Sequence, residues 1–148
     1  MKTKGTWGRK GKVRIIVTDI RTGNQRVVKG DNTINGVGLN MVRDAFNGTV
    51  TDIKIKYLAW FNGAGTEFGR KQITSYDVTT NYQLLTTTYI APEEGNTEAI
   101  ATLGWFAGAA ATATAGTGVE VARFAFAHTK TNLESIQVER TEILAEVP

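Results

Sequence analysis

His128 is the only histidine and there is no cysteine, so the side chains that most often bind metals or attack carbonyls are nearly missing. Without cysteine there is no thiolate ligand, thiol nucleophile or disulfide framework. One imidazole rules out a two-histidine metal site, and a Ser-His-Asp triad has a single residue around which to form. His128 stands in AHTKT, which reads as a hairpin turn, and a surface histidine is expected there. Glu93 and Glu94 are a second candidate, as an acid/base pair. Adjacent turn residues diverge, however, whereas a glycosidase pair faces one bond across several ångströms, so a solvated turn is expected. GAGTEFGRK (Gly63 to Lys71) has the glycines of a phosphate-binding loop. The Walker spacing ends in Gly-Lys-Ser/Thr directly before a helix, whereas Gly69-Arg70-Lys71 runs into the strand-like QITSY; the alternative is a turn in which Glu67 pairs with Arg70 or Lys71. These residues predict no catalytic group, no metal and no cofactor, and the chain is read as a non-enzyme.

Charge is unevenly placed. Lys2, Lys4, Arg9, Lys10 and Lys12 give the first twelve residues a charge of +5, in a chain whose net charge is +3. From Glu93 onward eight acids oppose Arg123, Lys130 and Arg140, a local −5. A chain with a basic end and an acidic half offers both sides of an attractive pair, which suits head-to-tail contact between copies. Residues 1–12, with three glycines and one large apolar group, Trp7, read as an extended arm that orders on a partner. That partner is an acidic protein surface, with Trp7 as the buried anchor. The alternatives are nucleic acid, with phosphates neutralised by the bases and a nucleobase stacked on Trp7, and a solvated tail with no partner.

The elements behind these residues read as strands around one helix, in a single domain over 13–148. Val13 to Ile20 and Gln25 to Lys29 flank Arg21-Thr22-Gly23-Asn24 as a hairpin. Asn35 is the expected N-cap of a helix over about 36–46, with Leu39, Val42 and Phe46 as its buried line and Asn47-Gly48 as its stop. Strands are expected in Ile53 to Phe61, Lys71 to Val78, Tyr82 to Ala91, Thr97 to Phe106, Val119 to Ala127 and the run LESIQVERTEIL. The strand VEVARFAFA should alternate, with Val119, Val121 and Arg123 on one side and Glu120, Ala122, Phe124 and Phe126 on the other. Between Phe106 and Val119, AGAAATATAGTG contains only Gly, Ala and Thr, so it can pack closely against a neighbouring surface and loses little side-chain entropy in doing so. The total is a mainly β fold: an antiparallel β-sandwich or small barrel of about eight strands, one helix and an extended N-terminal arm. No apolar run approaches the ~20 residues of a membrane helix, and no signal-peptide pattern opens the chain.

Read together, NGVGLNMVRDAF (Asn35 to Phe46), IKYLAW (Ile55 to Trp60), EFGRKQITS (Glu67 to Ser75), YIAPEEGN (Tyr89 to Asn96), GWFAGAAATATAGTG (Gly104 to Gly118) and VARFAFAHTKTNLESIQVERTEI (Val121 to Ile143) resemble, in order and spacing, a family of small structural proteins from tailed bacteriophages. The resemblance implies a virion component, made in the host cytoplasm, repeated by symmetry and acting by protein–protein assembly with copies of itself and other virion proteins. A tail, baseplate or fibre-attachment subunit is the expected role, with a capsid decoration protein as the alternative. Two departures enlarge the apolar area. Ala59-Trp60-Phe61 stands where such proteins tend to read Ala-Leu-Gly, and Thr102-Leu103 where they often place an acid. The expected partner-binding residues are Lys2, Lys4, Trp7, Arg9, Lys10, Lys12, Trp60, Phe61, Trp105 and Phe106.

Overall fold

The computed structural model describes residues 6–33, 35–80 and 82–147. Nine strands and one helix appear among them: β1 (Thr6–Asp19), β2 (Gln25–Thr33), α1 (Gly36–Phe46), β3 (Ile55–Phe61), β4 (Glu67–Gln72), β5 (Ser75–Thr80), β6 (Gln83–Ile90), β7 (Ile100–Ala107), β8 (Val119–His128) and β9 (Glu134–Val147). They form two antiparallel sheets, one ordered β2-β1-β9-β6-β5 and the other β4-β3-β7-β8. The arrangement is a sandwich, with its core between the sheets.

Alternation in β1 and β9 builds one inner face. Val13, Ile15 and Val17 are buried beside Ile136 and Val138, since Val17 pairs with Ile136 and Ile15 with Val138. The opposing sheet contributes Leu58, Trp60, Leu103, Trp105, Ala122 and Phe126 to the same cluster. The β1–β2 hairpin forms as expected. Asp19 accepts from the Arg21 backbone N–H at 2.8 Å, and Gly23 takes the positive φ that closes the turn.

Ile73 and Thr74 divide the run expected as one strand from Lys71 to Val78. The Ile73 amide donates to Lys56 in one sheet and the next amide, of Thr74, to Thr87 in the other, so the chain changes sheet within two residues. This crossing separates β4 from β5 and accounts for the ninth strand.

The described part of the expected arm, from Thr6 to Lys12, is extended and paired. Thr6 to Lys12 are the first half of β1, pairing with Val147 to Thr141 of β9. The acidic C-terminal strand expected to attract a neighbour's arm is therefore joined to these residues within one chain. Lys2 and Lys4 lie outside the described residues, as do the side chains of Trp7, Arg9 and Lys10.

The helix begins and ends where the sequence indicates, with the Asn35 side chain accepting from Gly38 N and Asn47 at the C-cap. Its buried face is different. Gly38 and Met41 are buried, whereas Leu39 and Phe46 of the expected inward line are exposed. The cause is the tether before the helix: Asn35 donates through its backbone to Val121 O and through its side chain to Glu120 O. This fixes α1 along the edge strand β8 and covers an edge that would otherwise be free to pair.

Candidate assembly surface

The four aromatic residues expected at an interface belong to the fold. Trp60, Phe61, Trp105 and Phe106 are all buried. Trp60 and Trp105 face the central core. Phe61 and Phe106 lie on the outer side of their sheet with Ala59 and Ala111, the rings stacked at 6.3 Å between centroids. Arg123 covers Phe61 at 3.7 Å from the ring centroid and Arg70 covers Phe106 at 4.4 Å, so two guanidinium planes and the small-residue loop shield this outer cluster from water.

That loop is organised by an ion pair within its own chain. Arg70 Nε and Nη2 meet the two Glu67 carboxylate oxygens at 2.7 Å each. Arg70 Nη1 donates to the carbonyls of Thr112 and Thr117 at 3.0 and 2.9 Å, and Glu67 Oε1 accepts from Gly116 N. The Arg70 side chain is only 2% exposed. In an unbroken strand residues 67 and 70 would point to opposite faces. The register steps from Trp60↔Gly69 to Phe61↔Glu67, so one extra residue in β4 forms a bulge and brings both onto one face. Of the two partners considered for Glu67, Arg70 takes the role; Lys71 instead pairs with Glu94.

A second bulge re-aims β8. Trp105 faces Ala122 while Phe106 faces Glu120, so Val121 and Ala122 are both buried. Glu120 then joins Arg123 on the outer side as an ion pair, where simple alternation had separated them.

Above this sheet, α1 and the start of the loop enclose an open groove of about 500 Å³, lined by Val37, Met41, Val50, Ala107, Ala110 and Val119. Asp44 and Asp52 stand on its rim. Both carboxyls are held below the ordinary aspartate value, Asp44 chiefly by a hydrogen bond from Arg43 and Asp52 chiefly by one from Lys56. On the helix, Phe46 is 87% exposed, Val37 60% and Leu39 43%. Leu39 and Phe46, seven residues apart, thus share one exposed side of the helix, while Val37 stands on the other side, along a groove walled by small residues.

His128 and Arg140 are paired internally. His128 is not a free turn residue: it ends β8 with its ring stacked on Phe126 at 5.5 Å. Arg26 Nη2 lies 3.0 Å from its Nδ1. Glu134 lies 3.3 Å from its Nε2, an ion-pair distance without hydrogen-bond alignment. Arg140 is fully buried, with Nε on Glu142 and Nη1 on Asn32 Oδ1 at 2.7 Å, and its guanidinium sits over Trp105. Arg140 and Glu142 continue the inward period of Ile136 and Val138, a signal visible in the sequence. Lys12, the one basic residue of the first twelve whose side chain is described, is exposed. No group of three or more His, Asp or Glu side chains among the described residues is placed to hold a metal, and no helix among them is long and apolar enough to cross a membrane. No protein-family model matches the chain, and no curated protein or solved structure matches it.

Proposed function

We propose that this protein is a structural subunit of a tailed-phage virion, at the tail, the baseplate or the point of fibre attachment, and that it works by association with further copies of itself. The observation that carries the reading is the apolar face of α1. Burying Leu39 and Phe46, which lie two turns apart on one side of the helix, against another molecule removes large apolar surface from water, at about 25 cal/mol per Å². The groove on the Val37 side of the helix, walled by Ala107, Ala110 and Gly108, leaves room for a neighbour that wraps the helix, and the Arg70–Glu67 clamp orders the loop beforehand, which lowers the entropic cost of docking. The motif order of the sequence supports the phage assignment. Leu39 and Phe46 are the residues that meet the partner.

The test is the native mass of the intact chain beside that of the double variant Leu39→Ser/Phe46→Ser. Oligomers are expected for the wild type and monomers for the variant, with little change in melting temperature because both positions are exposed. A wild type that stays monomeric at high concentration and binds no purified virion part overturns the proposal. Binding to isolated capsids but not to tails would move the subunit to the head, as a decoration protein.

A further inference from the structure

Lys130 is 2% exposed, a rare placement for an ammonium group, and buried lysines ordinarily face a carboxylate. Here Nζ donates to three uncharged oxygens: Pro92 O at 2.9 Å, Asn96 Oδ1 at 2.9 Å and Thr131 O at 3.2 Å. Among the described residues no carboxylate lies within ion-pair distance of it. The lysine stem runs beneath Gly95, where Ile90 and Trp60 complete an apolar wall. The asparagine is fixed as well, its Nδ2 donating to Pro92 O at 2.7 Å. A buried primary amine and a half-buried carboxamide are therefore held against each other.

We propose that Lys130 and Asn96 join in an intramolecular isopeptide bond formed by the chain itself. The ammonium first loses one proton to solvent and with it one of its three donated hydrogen bonds; the freed lone pair of the neutral Nζ then attacks Cγ of Asn96, which lies one carbonyl bond beyond the oxygen it already touches. Reaching attack distance takes a shift of about 1 Å. The Nζ–Cγ bond forms and the Cγ–Nδ2 bond breaks. One Nζ proton passes to Nδ2, which departs with the electron pair of the broken bond as ammonia. Nothing is oxidised or reduced and no further reactant enters.

The surroundings favour each part of this step. Burial pushes the Lys130 amine below its ordinary pKa, enlarging the fraction present as the nucleophile, while Glu134, Glu94 and Glu93 partly offset this through their charge. Those same carboxylates stabilise the positive charge that develops on Nζ in the tetrahedral intermediate. The Pro92 carbonyl, which accepts from both nitrogens, holds the leaving group beside the attacking one. The product ties the turn after β6 to the turn after β8 and closes a covalent loop around β7, the small-residue loop and β8.

Intact-mass measurement of the purified wild type tests this directly. A deficit of one ammonia, about 17 Da, is expected, growing on incubation at mildly alkaline pH, together with a branched peptide linking residues 96 and 130 in the digest. Lys130→Met and Asn96→Ala should each retain full mass. A wild type of full mass after prolonged incubation overturns the proposal. So does a deficit confined to one linear peptide, which marks asparagine cyclisation, or one that persists in Lys130→Met. Because the wild type carries the decisive measurement, poor folding of a variant leaves the outcome readable.

Discussion

Replacing Arg70 by methionine should both destabilise the fold and loosen the small-residue loop. The substitution keeps the stem over Phe106 but removes the guanidinium, leaving Glu67, itself only 7% exposed, with the Gly116 amide as a remaining donor. Removing one partner of a buried ion pair costs about 3–5 kcal/mol, because the other charge stays desolvated. The Thr117 carbonyl also loses the Arg70 donor, while Thr112 O keeps the Thr117 hydroxyl; the surrounding loop is largely exposed and water replaces the guanidinium there. The lower end, about 3 kcal/mol, is therefore expected. At roughly 3 °C per kcal/mol for a chain of this size, melting falls by about 10 °C. The companion variant Glu67→Met/Arg70→Met removes both charges and should return to within about 1 kcal/mol of the wild type, since apolar pairs often replace buried ion pairs without loss. Urea denaturation of the wild type, both single variants and the double variant gives the coupling energy. Hydrogen exchange at 111–118 reads the loop separately, and its protection should fall in every variant, including the stable double one. Additive single effects, or undiminished loop protection in Arg70→Met, would refute the clamp.

Two further outcomes test the packing and the turn. A Cβ added at Gly69 would run into the Trp60 indole, whereas one at Gly63 meets nothing within 4 Å. Gly69→Ala should therefore cost about 1–3 kcal/mol by overpacking while Gly63→Ala stays within about 0.5 kcal/mol of wild type; equal denaturation midpoints would show that the Trp60 contact is not tight. The Asp19 carboxyl is held below 3.8, first by the hydrogen bond from the Arg21 side chain. Because its folded pKa is depressed, its contribution is complete above the unfolded value and lost as pH falls through the folded one. The difference in urea midpoint between wild type and Asp19→Asn should hold from neutral pH down to about 4 and close below it; a gap that persists in stronger acid contradicts the assignment.

Local signals carried much of the architecture into the sequence. Asn35 and Asn47-Gly48 bound the helix because their side-chain and backbone preferences act within a few residues, and the Arg21 to Asn24 turn is legible for the same reason. Period-two alternation located most strands and, followed further along β9, would have pointed Arg140 and Glu142 inward beside Ile136 and Val138. The candidate surface was less legible. Alternation fails wherever a bulge adds a residue, as it does at β4 and β8, and the bulge depends on what the partner strand can accommodate. The outward line of α1 was misjudged because an amphipathic pattern gives a helix a face but not the side on which the sheet will lie. The tether from Asn35 to Val121 decided that.

The sequence alone determined a β-rich chain with one capped helix, a small-residue loop and scarce catalytic chemistry, since these follow from composition and short-range preference. Only the tertiary structure decided where its charges and aromatics go. It brought the Glu67–Arg70 pair onto one face to hold the loop and paired Thr6 to Lys12 with the acidic strand of its own chain. It turned the expected interface aromatics into core and left Phe46 outside. It also set the Lys130 amine against the Asn96 carboxamide across a long stretch of chain. Such placements depend on strand order, bulges and the crossing at Ile73-Thr74, which arise when two sheets close on each other.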